Sequence, residues 1–221
     1  MKPAQDPFLA PQARAQEGDS AGAADESLAA WPYGGLDPAS YWDPLWASGR
    51  RYRKITDAEA ALMAKYLGQG SGHRALDIGC GDGTLVRHLT EHLGYRTTGI
   101  DCAPTAIDCA TIQHAHLPGA TFQVLEFTTG DLNELPHRTY RLITCRLVYK
   151  FLGDKPHFLE RVRKLLAPGG IVWIVTELAN RLDGAAAQRG LTESEIEQLT
   201  AGWAAVHIED LDRLICLRLD L

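Results

Sequence analysis

No stretch of the chain approaches the roughly 18 consecutive apolar residues that a membrane-spanning helix needs, so no such anchor is expected. The opening residues, MKPAQDPFLAPQARAQEGDSAGAADES, lack the apolar run of a secretory signal. Cysteine is sparse: Cys80, Cys102, Cys109, Cys145 and Cys216 are scattered, and no C-x-x-C spacing occurs. That speaks against a thiolate zinc site or a dithiol redox pair, and free thiols in a reducing cytoplasm are expected. His88 and His92 stand four apart, but no third ligand accompanies them, so no metal is expected. Basic charge is also short. Lys and Arg total 22 against 28 Asp and Glu, a net charge of −6, which leaves no overall attraction for nucleic acid or an anionic membrane. Neither is expected as a partner.

What remains is the mix of an ordinary globular chain of 221 residues, 45 % hydrophobic and 23 % charged. Residues 1–30, rich in Ala, Gln, Pro and Gly, bury too little to offset ordering entropy and are expected to form a disordered tail. Residues 31–70 are crowded with aromatics (Trp31, Tyr33, Tyr41, Trp42, Trp46, Tyr52, Tyr66) and end in a helix from Thr56 to Leu67, with Thr56 as cap and Glu59 at the capping-box position. From 71 onward, strand-like runs at 75–78, 95–101, 121–127, 140–145 and 170–177 alternate with helical runs at 83–93, 104–114 and 155–167. That alternation predicts an α/β fold with a mostly parallel sheet covered on both faces. Pro168-Gly169-Gly170 is expected to end the third of these helices. A helix at 192–200 and two strand-like runs, 203–210 and 214–221, predict a closing antiparallel hairpin on the sheet edge.

The segment LDIGCGDGTLVRHL (76–89) places Gly79, Gly81 and Gly83 between a strand and a helix. Glycines there permit positive φ and close backbone approach, and the helix start offers unpaired N–H groups, the makings of a nucleotide-type site. The spacing is G-x-G-x-G, with Thr84 where a dinucleotide fingerprint has its third glycine. Asp77, two places earlier, is costly beside a pyrophosphate but suits a cation such as the ammonium of an amino-acid moiety. Asp101, ending the next strand, is positioned for ribose hydroxyls, or to cap the following helix. Glu126 is a candidate for an adenine amine, with Phe127 packing on the ring and Asp131 as the competing carboxylate. YRLITCRLVYKFL (140–152) brings Cys145 and Arg146 past the far side of the same cofactor.

Taken in order, LDIGCGDG, GID, YRLITCRLVYKFL and RKLLAPGGIVWIV resemble the motifs of the class I S-adenosylmethionine-dependent methyltransferases over residues 73–177. The resemblance implies a Rossmann-like doubly wound sheet, S-adenosylmethionine as cofactor (S-adenosylhomocysteine as product), and methyl transfer to a small-molecule nucleophile through O, N, S or C. The chain departs from the usual pattern at Glu126, at Tyr140-Arg141 and at Tyr149, where the family more often has Asp, Phe-Asp and His. YWDPLWASGRRYRKI is similar, more loosely, to the lid of thiopurine-type methyltransferases, which implies Trp42, Trp46 and Tyr52 over the cofactor and Arg51 or Arg53 at its carboxylate. The expected cofactor residues are thus Trp46, Tyr52, Arg53, Asp77, Gly79, Cys80, Gly81, Gly83, Asp101, Cys102, Glu126, Phe127, Cys145 and Arg146. Tyr149, Lys150 and Glu177, at the strand mouths, are the candidates to meet the methyl acceptor. A monomer or homodimer is expected. An NAD(P)-dependent oxidoreductase on the same fold and a cofactor-binding protein without turnover are the rival readings.

Overall fold

Seven strands form one sheet in the order β3-β2-β1-β4-β5-β7-β6 in the computed structural model, which describes residues 36–221. The strands are β1 (Arg74–Ile78), β2 (Arg96–Asp101), β3 (Ala120–Val124), β4 (Tyr140–Arg146), β5 (Leu166–Glu177), β6 (Ala205–Leu211) and β7 (Leu214–Asp220). The first five pair in parallel and β7 lies antiparallel between β5 and β6. The mostly parallel sheet with a closing hairpin is the predicted one. The tail expected over 1–30, with Trp31 and Tyr33, falls outside the described residues.

Helices are α1 (Pro38–Ala47), α2 (Asp57–Leu67), α3 (Thr84–Glu91), α4 (Pro104–Gln113), α5 (Lys155–Leu165) and α6 (Glu193–Thr200). Four start on a side-chain cap: Asp37, Thr56, Asp154 and Thr192 each accept from the N–H three residues on. Each such cap contributes about 1 kcal/mol. The exceptions are α3 and α4, which follow Gly83 and Ala103 and carry no cap from that residue. These two starts border the cavity described below.

Strand alternation sends side chains to two cores. Val172 and Ile174 of β5 join Phe158, Leu159 and Val162 of α5 on one face. Ile171, Trp173 and Val175 join Met63 of α2 and Leu85 and Leu89 of α3 on the other. A strand buried on both faces carries apolar residues at every position, as IVWIV does.

Three features differ in substance from those predicted. The third strand stops at Val124, so Glu126 and Phe127 lie beyond it, in a turn. Pro168-Gly169-Gly170 does not end α5, which stops at Leu165. It lies inside β5, where the ladder jumps from Tyr140–Leu166 to Leu142–Ile171. Pro168 has no N–H to give a neighbour and Gly169 takes φ +68°, so the residues leave the ladder as a bulge, held by the Arg141 guanidinium on the Pro168 carbonyl at 3.3 Å. The aromatic segment contains α1, which was not anticipated.

Candidate active site

Gly79, Gly81 and Gly83 all take positive φ (71°, 54° and 78°) as the chain turns from β1 into α3. A Cβ on Gly79 would come 2.4 Å from Val148, and one on Gly81 would come 2.8 Å from the Trp46 indole. Glycine is thus required twice over, by conformation and by space. Asp101, at the end of the neighbouring β2, accepts from the Gly81 N–H and the Ala103 N–H, both at 2.9 Å. One carboxylate therefore ties the glycine loop to the approach of α4. The predicted capping role is met only in part, since its bond goes to Ala103 rather than into the helix.

Around this loop opens a cavity of about 1170 Å³ at the carboxyl ends of the parallel strands. Pockets for a single small ligand typically measure roughly 300–1,000 Å³, so this one is ample for a cofactor-sized molecule. Its floor carries carboxylates. Asp77 is buried, and among the described residues its hydrogen bond comes from the Thr144 hydroxyl alone, at 2.7 Å. Burial raises its pKa to about 7. Burial likewise raises Asp101, against the pull of its backbone donors. Glu126 differs. Burial pushes it up, but donors on Thr128 and Thr129 outweigh that and hold it below the usual range. Both Glu126 oxygens accept from Thr128 or Thr129, so this carboxylate is folded back onto its own turn.

The roof comes from residues 42–55. Asp43 of α1 accepts from the Thr105 N–H at 2.7 Å and so caps α4 from outside. Trp46, 6 % exposed, packs with Trp42 and Tyr52 against Ala103 and Ala106. Trp42 also meets Phe151 edge-on at 5.1 Å. Burial raises the Tyr52 hydroxyl to about 12. The strap that follows is clamped by Arg146. Its guanidinium donates to both oxygens of Glu59, at 2.6 and 2.9 Å, and to the Arg53 and Lys54 carbonyls at 2.7 and 3.2 Å. Glu59, 1 % exposed, therefore does not close the expected capping box, because the guanidinium takes both of its oxygens. Beyond the strap, Arg53 reaches Glu177 at 3.3 Å, with Arg189 on the opposite oxygen at 3.9 Å.

Of the residues expected at the site, Trp46, Tyr52, Arg53, Asp77, Gly79, Cys80, Gly81, Asp101, Cys102, Glu126, Phe127, Arg146, Lys150 and Glu177 line this cavity. Gly83, Cys145 and Tyr149 do not. Gly83 backs onto His114 and Phe122. Cys145 is fully buried, and Tyr149 is sealed against Phe158, its hydroxyl pushed above the ordinary tyrosine range by burial. Lys150 is present but held by both oxygens of Glu195 at 3.0 and 2.8 Å. Sequence reasoning missed Thr144, Val148, Arg189 and Arg213. Thr144 faces Asp77 across the β1–β4 register, a pairing visible only once the strand order is known.

Residues 76–172 match the family model described as a methyltransferase domain. Over this segment the chain carries the pattern of a methyltransferase domain. The chain is 26 % identical over 140 residues to the ubiquinone biosynthesis O-methyltransferase of Vibrio cholerae serotype O1, covering 63 % of this chain and 56 % of that one. It is 32 % identical over 136 residues to the malonyl-[acyl-carrier protein] O-methyltransferase of Serratia marcescens, covering 57 % and 49 %. It thus spans about half the length of these curated relatives. Among solved structures, a SAM-dependent methyltransferase from Aquifex aeolicus superposes with TM-score 0.66 at 18 % identity, over 84 % of this chain and 98 % of that one. Phosphoethanolamine N-methyltransferase 2 of Haemonchus contortus, in complex with S-adenosyl-L-methionine, gives 0.65 at 18 %, over 80 % and 47 %. At such identities the methyltransferase domain and these structures share the fold.

Proposed function

We propose that the cavity binds S-adenosylmethionine and transfers its methyl group to a small-molecule nucleophile. One observation carries this reading: a buried carboxylate, Asp77, opens onto the cavity beside a loop whose three glycines all take positive φ. A carboxylate left with a single hydroxyl donor fits a cationic amino group and repels a pyrophosphate, which weighs against a nicotinamide dinucleotide. S-adenosylmethionine supplies an activated methyl group and a neutral leaving group when bound.

With a neutral leaving group, the protein's tasks are to orient and to exclude water. Asp77 would receive the ammonium and Asp101 the ribose hydroxyls. Trp46 and Tyr52 would cover the cationic sulfur, a charge aromatic faces attract. The strap of residues 50–55 and α1 form the lid that keeps water out. No general base is assigned. Tyr149 is sealed away, Lys150 is held by Glu195, and Glu177 lies between two guanidinium groups. Relatives named O-methyltransferases favour an oxygen nucleophile.

The test is calorimetric titration with S-adenosylhomocysteine, with NAD(H) and NADP(H) in parallel. Micromolar binding of S-adenosylhomocysteine alone is expected. Tight binding of a nicotinamide cofactor instead would turn the reading to an oxidoreductase. Binding followed by failure to methylate any acceptor in a broad screen would favour the non-catalytic alternative.

A further inference from the structure

β6 is the last strand of the sheet, and among the described residues no strand pairs with its outer edge. Which of its residues turn outward follows from the ladder. The Leu221 N–H donates to the Gly170 carbonyl of β5. Bonding direction alternates along an antiparallel strand, so Leu219, Leu217 and Ile215 also bond to β5, while Leu214, Cys216 and Arg218 turn to β6. Their partners there are Leu211, Glu209 and His207. Val206, Ile208 and Asp210 therefore aim their N–H and C=O groups away from the sheet. Such an edge is a template for another strand. Proline, lysine and bulges often blunt an edge, and β6 has none of the three. It also presents apolar side chains, with Val206 36 % and Ile208 49 % exposed.

We propose that β6 pairs antiparallel with β6 of a second copy of this chain, about a two-fold axis through Ile208, joining two seven-stranded sheets into one. Ile208 then meets the partner's Ile208, and Val206 meets the partner's Asp210, so every outward backbone group is bonded. Charge fixes this register. His207 stands opposite the partner's Glu209, twice over by symmetry, in the close pairs of the ladder. Lys65 and Tyr66 both donate to Oε1 of Glu209, and its Oε2 accepts from no described residue. The His207 ring lies 5.9 Å from the Tyr66 ring and makes no hydrogen bond among the described residues, so an imidazole N–H is available for that oxygen. Sliding the strands by two residues sets Glu209 against the partner's Glu209, or His207 against the partner's His207, and forfeits the complementary pairs. Sliding by one residue sets outward groups against groups already bonded to β7. A contact of one strand per copy belongs to the small, reversible class. The proposal is independent of what the cavity binds.

The test is sedimentation equilibrium of the full chain over about 5–500 μM, the range of weak association, with amide hydrogen exchange on the same samples. The mass should rise from one copy toward two. Exchange at Val206, Ile208 and Asp210 should slow at least about threefold from the dilute to the concentrated end, while His207 and Glu209, already bonded to β7, stay unchanged. Ile208→Lys sets two like charges on the axis, and Ile208→Pro deletes an outward N–H without touching the β7 ladder. Each should weaken association at least about tenfold. His207→Glu, which opposes two carboxylates, should do the same, and His207→Glu/Glu209→His should return association to within about threefold of the parent. A chain that stays monomeric throughout overturns the proposal. So does a dimer that survives both Ile208 variants, or a swap that restores nothing. Protection of the three outward amides that does not depend on concentration would mean another part of the same chain covers the edge, and overturns it as well. The exchange measurement needs no variant, so a substitution that fails to fold leaves the proposal open to refutation.

Discussion

Gly79, Gly81 and Asp101 build the floor of the cavity from backbone: positive φ angles, and a carboxylate bound to two N–H groups within a short span of chain. Across from them, Trp46, Glu59 and residues 50–55 build the roof from side chains that meet partners far away in sequence. Arg146 contacts Glu59 across 87 residues and Arg53 contacts Glu177 across 124. The floor is shaped by what the chain can adopt locally. The roof is shaped by what the finished sheet brings within reach. The floor should therefore fail through conformation, abruptly, and the roof through the loss of individual contacts, by degrees.

The sharpest break is expected at the floor. Gly81→Val forces a β-branched residue into φ +54° and into the Trp46 ring, and S-adenosylhomocysteine affinity by calorimetry should fall at least about 1000-fold, or ~4 kcal/mol. Retained binding would mean the loop is not the site. Next comes the buried clamp of the roof. Glu59→Gln leaves the Arg146 charge facing a neutral amide, and thermal unfolding should show a loss of about 3 kcal/mol, a fall in Tm of about 8 °C. A smaller third effect lies with pH. Because Asp77 is raised to about 7, the folded chain holds a proton there that the unfolded chain has released, so this residue's contribution to stability is lost as pH rises from about 4 through 7. An ammonium ligand selects the ionised form, so S-adenosylhomocysteine should bind about tenfold more weakly at pH 6 than at pH 8. Asp77→Asn should flatten that profile. The smallest effect belongs to the outer clamp. Arg53→Gln removes a partly exposed ion pair and should cost under about 1 kcal/mol, with Tm within about 2 °C of the parent.

The same contrast governs what was legible in the sequence. The glycine loop, Asp77 and Asp101 lie on a run of local signals, and the mostly parallel sheet follows from alternating elements. The helix α1 escaped because Pro44 interrupts it and its stabilising contacts, Asp43 to the start of α4 and Trp46 to Ala103 and Ala106, come from elsewhere in the chain. Glu59 sits at a capping position, and only the fold reveals that a guanidinium outcompetes the backbone for it. Glu126 lines the cavity, yet the early end of β3 lets Thr128 and Thr129 turn its carboxylate aside. Arg189 and Arg213 carried no local signal at all, because only the assembled loops bring them to the cavity.

Three consecutive residues touch both halves of the site. Arg146 holds the strap, Val148 lies over Gly79, and between them Leu147 takes φ +60° while its N–H donates to the Val175 carbonyl at 2.7 Å. A leucine in that conformation costs about 1 kcal/mol, a cost the neighbouring contacts sustain. The result is a short bridge pinned at its middle to β5, with one end under the strap and the other on the glycine loop. Strap and glycine loop are thus joined through three neighbouring residues of one chain segment, and a substitution at Leu147 would be felt by both.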